Sequence, residues 1–433
     1  MEASRKLSYT LLNEPLTFFG GILFFLMVFS PSYNVVLKMA LIGVLIISIT
    51  LSRIVFDRLN VTKEVLLWYM FFVAHGIFFS ILGFLNGNNT SYILRSSTYN
   101  IIWPIVYLIF TVGLYKKTSL YFLVRVLIIS NLLISLYLIG GALTLLGILP
   151  PLPFVTFEMS SLAIDTLAGL VKTETPSVVC LLFTVPFVIA LTLLDKEKKF
   201  GFSKLFLNVS IIISLIAVVS TARRALILNV FLGIVLTVFF TWRSKGINKS
   251  IFNRRLFKML FWGVAFLAIA LFFVQELGVL DFSLVYQKFL SAFSDQSGFS
   301  DASTELRYEQ FHLLIKSWLQ KPLLGYGHGA VSDFIVRSEK TPWMYELSYV
   351  ALLFQTGIIG LLLYMAILFW PIYKGMQLLK HRNAESALFI IPSIVGCVCF
   401  LVANGTNPYL QSYDYMWALF FPVAIINYFM KEV

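Results

Sequence analysis

The stretch WMYELSYVALLFQTGIIGLLLYM, residues 343–365, decides the class of this protein. It begins as a polar, aromatic loop and turns at Glu346 into an apolar run with no further charge until Lys374. That run exceeds the roughly 20 residues needed to cross a hydrocarbon core. The pattern recurs on both sides. Apolar runs fall at about 16–34, 35–52, 65–85, 98–114, 119–147, 176–194, 205–221, 225–242, 259–275, 346–369, 386–404 and 413–430. The chain is 59% hydrophobic and 12% charged, whereas about a quarter of a soluble domain is charged. The expected fold is an all-α polytopic membrane protein, a single integral membrane domain over residues 1–433 with about 12 transmembrane helices. Alternating ten-residue strands, the mark of a membrane barrel, are absent.

The net charge of +12 points to membrane orientation and away from nucleic acid, because the basic residues gather in short loops between apolar runs. With the N-terminus in the cytoplasm, the inner segments take most of them, including Arg53, Arg58, Lys63, Lys196, Arg243 and Arg254. Both termini are then expected in the cytoplasm. The outer side receives a long loop, 276–344, and a smaller one, 148–175. The N-terminal apolar run lacks an A-x-A-like cleavage site and reads as a retained first span. Cys180, Cys397 and Cys399 lie within apolar runs and read as small core residues, with neither disulfide nor zinc spacing.

The unusual polar residues sort onto the outer side. In VVSTARRALILNV, 218–230, Arg223 and Arg224 occupy a tight outer turn, against the positive-inside bias. Two guanidinium groups there either snorkel to headgroups or form an anion site, since their forks match phosphate oxygens. Arg95, in the outer loop LNGNNTSYILRSSTYN, 85–100, is a candidate for the same site or a plain surface charge.

The long outer segment contains STELRYEQFHLLIKSWLQKPLLGYGHG, 303–329. Leu306, Phe311, Leu314, Ile315, Trp318 and Leu319 recur at helical spacing, with Arg307, Gln310 and Gln320 off that face. The expectation is an amphipathic helix on the membrane surface or over a cavity, capped by Ser303 and ended by Pro322 and Gly325. A second such helix is expected over 281–293. YGHG, 326–329, lacks the Lys-Ser/Thr of a phosphate loop. His328 stands as a candidate contact, and His75 as a hydrogen-bonded residue within the third span. Asp301, Asp333 and Glu339 read as solvated. In ANGTNPYLQSYDYMW, 403–417, Asn404, Asn407, Tyr409 and Asp414 suit either sugar binding or an interfacial belt. Neither H-x-x-H nor a carboxylate cluster appears on the outer side, so no metal site is expected.

Three features stand in order: the turn arginine at Arg223/Arg224, then RYEQFHLLIKSWLQKPLLGYGHG, then ELSYVALLFQTGIIGLLLYM. Over roughly residues 210–370 this order resembles the bacterial O-antigen polymerase and ligase superfamily. The resemblance implies a GT-C type glycosyltransferase of the bacterial inner membrane with its active site facing the periplasm. Such enzymes take a glycan from an undecaprenyl-pyrophosphate carrier. Polymerases pass it to another lipid-linked repeat unit, and ligases to the lipid A core. Arginines hold the pyrophosphate, with no metal, nucleotide or other cofactor. The expected partners are the lipid-linked oligosaccharide, membrane lipid and a chain-length regulator protein. By position, the turn arginine is Arg223 or Arg224 and the loop arginine is Arg307. Ligases resemble H-N-x-x-L ahead of the G-I-I-G helix, where this chain has Glu346-Leu347-Ser348-Tyr349-Val350. That departure favours a polymerase over a ligase.

Glu346 and Arg307 are the catalytic candidates; Arg223, Arg224, Arg95, Arg337, Tyr349, His328, Asn404 and Tyr409 are the candidates for substrate binding. Glu346, among Trp343, Tyr345 and Tyr349, fits three roles. It can be a general base with a pKa raised by partial desolvation, a first-turn partner of the helix dipole, or an ion-pair partner orienting Arg307 or Arg337. A lipid-linked oligosaccharide flippase is the alternative from another class, but no pair of Gly/Pro-broken spans stands in matching positions.

Overall fold

In the computed structural model, residues 17–56, 61–113, 116–145, 147–150, 162–165, 170–173, 175–195, 198–221, 223–276, 302–332, 341–381 and 384–431 are described. Every apolar run of the sequence forms helix. In chain order these are α1 (Thr17–Phe29), α2 (Val35–Phe56), α3 (Lys63–Leu85), α4 (Thr90–Gly113), α5 (Lys117–Leu145), α6 (Pro176–Leu194), α7 (Lys204–Ser220), α8 (Arg224–Arg243) and α9 (Lys249–Glu276). After α10 (Ala302–Trp318) come α11 (Ser348–His381), α12 (Ala384–Asn404) and α13 (Trp417–Lys431). Seven of the described helices are long and apolar enough to cross a membrane: α3, α4, α5, α6, α8, α11 and α12. The protein is an all-α, multi-pass membrane protein. A short antiparallel hairpin, β1 (Leu162–Asp165) with β2 (Leu170–Thr173), lies between α5 and α6. The helix expected over 281–293 lies outside the described residues.

α6 and α12 form the centre, where 94% and 89% of the respective spans are buried, against 33% in α8. α12 packs on α6, α8 and α13, and α5 packs on α7. Because lipid is as apolar as a helix surface, buried polar contacts help hold such a bundle together. Asn131 of α5 donates to Ser214 of α7 at 2.7 Å and accepts from Thr184 of α6 at 2.9 Å. Asn229 of α8 donates to the Cys399 carbonyl of α12 at 3.0 Å. The three cysteines are buried and free, as small core residues. Phe71, Ile81, Phe231, Val235, Leu362 and Phe369 point outward and are exposed in the isolated chain; in a membrane that apolar surface meets lipid.

The helices alternate in direction, so polar features collect at two ends. One end is basic: Lys117 pairs with Glu385 at 2.7 Å, Lys374 with Glu64 at 2.5 Å, and Arg255 donates to the carbonyls of Leu193 and Asp195. Thr17, near the start of the described chain, touches Ser119 at this end, and Lys431 closes α13 there. Arg95, Arg223, Arg224, Arg307, His328, Glu346 and Asn404 all lie toward the opposite end. Contacts between the starts of α8 and α11 and the close of α12 fix that placement.

Candidate functional site

α10 rests against the start of α11, and the side it buries is not the apolar stripe alone. Gln310 is fully buried and Arg307 half-buried, together with Leu314, whereas Phe311 is 43% exposed and Leu319 63% exposed. The spacing of Arg307, Gln310 and Leu314 is that of one helical face. This mostly polar face turns inward, and Tyr308, Phe311 and Leu319 turn outward. Ser303 lies inside the helix, which begins at Ala302, and so does not cap it.

Arg307 meets Glu346, with its Nε 2.6 Å from Oε2. The contact is an ion pair by distance without the alignment of a hydrogen bond. α11 begins at Ser348 and has no acidic residue in its first turn. Glu346 therefore sits ahead of the helix, and of the three roles open to it the first-turn dipole partner is removed. Its peptide N–H instead donates to Gln310 Oε1 at 3.1 Å. Trp343, three residues earlier, is buried under two groups of α4: Tyr92 stacks on its indole at 4.8 Å and the Arg95 guanidinium lies 5.7 Å from the ring centre. Arg95 thus joins the site through an aromatic face.

A bracket behind Glu346 sets the start of α11. Ser348 Oγ donates to the Asn404 carbonyl and accepts from Asn404 Nδ2, while Asn404 Oδ1 accepts from Leu410 N at 2.9 Å. Tyr349 donates its hydroxyl to the Leu401 carbonyl at 2.7 Å. The polar atoms of Asn404 and Tyr349 are engaged inside the protein, where they hold α11 against α12. Tyr409 packs its ring on Phe400 and Tyr415. A polar cleft bordered by Asn100, His328, Ser348, Gln355, Asn404 and Gln411 runs behind this bracket, with room on the scale of a water molecule.

The segment PLLGYGHG, 322–329, forms the floor. α11 is broken at Gly357, whose φ of 64° lies in the left-handed region. The break frees carbonyls and N–H groups that have no water to meet inside a membrane. The loop takes them up: Tyr326 N donates to the Phe354 carbonyl at 3.2 Å, Gly327 N to that of Gln355 at 2.7 Å, and Ile358 N to that of Pro322 at 2.9 Å. On its other side His328 N donates to the Phe79 carbonyl at 2.8 Å, and Asn88 Nδ2 donates to the Tyr326 and His328 carbonyls. One loop therefore closes a helix break and fastens α3 to α11. His328 is buried with Nδ1 3.3 Å from Ser80 Oγ; burial, with His75 beside it, pulls its pKa down to about 3. A neutral imidazole locked in the floor does not act as a cation for phosphate. His75 is hydrogen-bonded in the third span, its Nε2 3.1 Å from the Gly360 carbonyl.

Residues 209–365 match the family model described as O-antigen ligase. The match falls on the stretch whose motifs resemble the O-antigen ligase and polymerase superfamily. No curated protein matches the chain. The superfamily region contains α8, α10, the glycine loop and the broken half of α11, hence both Arg307 and Glu346. Arg95 and Asn404 reach the same site from outside it. Arg223 is half-buried and Arg224 exposed at the start of α8. Asn229 touches Cys399, and each lies five residues from its helix end at Arg224 or Asn404, about 7.5 Å of axial rise in both cases. The arginine doublet is thereby level with the bracket. Arg337 lies outside the described residues. Among the described residues no three His, Cys, Asp or Glu side chains converge.

Gln310, Gln355 and Asn88 were not among the sequence candidates. Gln310 alone carried a signal: it follows Arg307 by one helical turn.

Asp414 lies at the same end, its Oδ2 accepting from Ser412 at 3.0 Å and from Ser32 at 3.4 Å. Burial outweighs those hydroxyls and the Lys38 ammonium and pushes its pKa up to about 6. The folded state then holds this proton more tightly than the unfolded chain. Stability falls as pH rises from about 4 to 6 and levels off above, a loss of about 3 kcal/mol. Thermal unfolding in detergent across that window is expected to show the slope in the parent protein and its disappearance in Asp414→Asn.

Proposed function

We propose that the protein is a glycosyltransferase that polymerises lipid-linked glycan repeat units at the periplasmic face of a bacterial inner membrane, with both termini in the cytoplasm. The observation that carries this reading is the Arg307–Glu346 contact, formed within the superfamily region at the end of the bundle away from the basic loops. In this reading an undecaprenyl-pyrophosphate-linked oligosaccharide enters beside α10 and parts the pair. Arg307 takes the charge that builds on the pyrophosphate as the bond from its oxygen to the anomeric carbon breaks, and Arg223, Arg224 and Arg95 add positive charge at the same end of the bundle. Glu346 accepts the proton of the attacking sugar hydroxyl. The displaced pyrophosphate oxygen leaves on the lipid carrier. A chain-length regulator is the proposed protein partner, and the chemistry asks for no metal or other cofactor.

The family description itself favours a second reading, in which the acceptor is the lipid A core. Glu346 at the position of the ligases' histidine is the reason for preferring polymerisation. Surface glycan from a deletion strain separates the readings. Loss of a polymerase leaves single repeat units on the core, and loss of a ligase leaves full-length polymer on the carrier. Loss of a flippase leaves neither. The first pattern is expected, and purified protein should extend synthetic lipid-linked repeat units equally well with and without chelator.

A further inference from the structure

Gln310 is fully buried, one turn from Arg307 on the inward face of α10. Its amide orientation is set by chemistry. The Glu346 peptide N–H can only donate, so the atom facing it at 3.1 Å is Oε1, and the other is the NH2 group. That Nε2 is buried and has no hydrogen-bond partner among the described residues. Leaving a buried donor unmade is unfavourable, and on the same buried face Arg307 lies one turn away, paired with Glu346. Gln310 therefore holds the catalytic loop with one end of its amide and presents an idle donor with the other.

We propose that Gln310 is a substrate-binding residue whose Nε2 donates to a phosphate oxygen of the lipid pyrophosphate beside Arg307, while its Oε1 keeps the Glu346 peptide in register. This rests on the glycosyltransferase reading above and adds a donor that charge alone would not reveal. A neutral amide next to a guanidinium favours a bridging or terminal pyrophosphate oxygen without adding to the cation that the leaving group must escape. It also links the two halves of the site, because the same side chain touches the anion and the backbone of the proposed base.

The test uses purified full-length protein in detergent and farnesyl pyrophosphate as the probe, with binding followed by calorimetry and folding by thermal unfolding. Gln310→Met keeps the shape but removes both the donor and the acceptor of the Glu346 N–H, whereas Gln310→Glu removes only the donor; affinity of the Met variant is expected to fall at least about tenfold, the worth of one hydrogen bond to a charged group. Gln310→Glu keeps an acceptor for the Glu346 N–H but faces the phosphate with an anion, and is expected to bind more weakly still. If Gln310→Met does not fold, Gln310→Glu decides. Affinity within twofold of the parent in the folded variants overturns the proposal. When the parent binds the probe, Arg307→Ala loses it and the Gln310 variants keep it, this assignment fails and the glycosyltransferase reading stands. A parent that does not bind the probe sinks both.

Discussion

Glu346→Gln is expected to abolish long polysaccharide chains while the protein stays inserted, abundant and folded. Removing a positioned general base lowers transfer by about 10²–10⁴-fold. The glutamine retains the side-chain shape and an oxygen for Arg307, so melting in detergent should move by only a few degrees. Arg307→Ala should also lower turnover, on the order of 10²–10³-fold, through the lost stabilisation of the departing pyrophosphate. It also strands a mostly buried carboxylate, so its melting temperature should drop further than that of Glu346→Gln. Arg307→Lys keeps the charge and loses the planar fork, and should fall between the two. The measurements are transfer between synthetic lipid-linked units and the chain-length ladder of surface glycan. Normal ladders in both Glu346→Gln and Arg307→Ala would remove these residues from the mechanism and leave the pair as a strut.

Gly327→Ala is expected to have the largest effect on stability. At φ 82° a side chain is strained by about 1–2 kcal/mol whatever its surroundings. Here the new Cβ would also strike the Gly83 backbone at its N and Cα, atoms of α3 that no rotamer change can move. The loop would have to leave its seat and uncover the carbonyls of Phe354 and Gln355 at the break in α11. A total loss on the order of 4 kcal/mol, or failure to insert as a folded protein, is expected. Gly87→Ala is the control: its φ of 76° imposes the same conformational strain, but nothing lies within 4 Å of the added atom. Thermal unfolding of the two variants side by side isolates the clash. Equal melting temperatures would mean that the loop is not clamped between α3 and α11.

Much of the architecture was legible because membrane insertion is a local quantity. Each apolar run lowers its own transfer free energy almost independently of the rest, so the runs named themselves and each one is helical. The gathering of basic loops at one end and of Arg95, Arg223, Arg224, Arg307 and Glu346 at the other followed from alternation of direction. Three features were not legible. The helical spacing around Phe311 predicted an amphipathic helix on the membrane surface or over a cavity, but not that Gln310 would be buried beside Leu314. Glu346 looked like a first-turn residue, yet the helix waits until Ser348. The G-I-I-G segment looked continuous, yet Gly357 breaks it.

The buried face of α10 was illegible for a physical reason. In water an apolar stripe marks the side facing the core, but beside a membrane it serves equally well against lipid, so periodicity does not tell inside from outside. Residue order and hydrophobicity alone determined that the chain is a helical membrane protein, which end carries its cations, and which arginines stand apart from them. Only the packed structure decided that Arg307 closes on Glu346, that Gln310 lies between helix and loop with a donor to spare, and that a glycine-rich turn repairs the broken helix. Those contacts join residues tens of positions apart, and their existence depends on a partner surface that no single segment encodes.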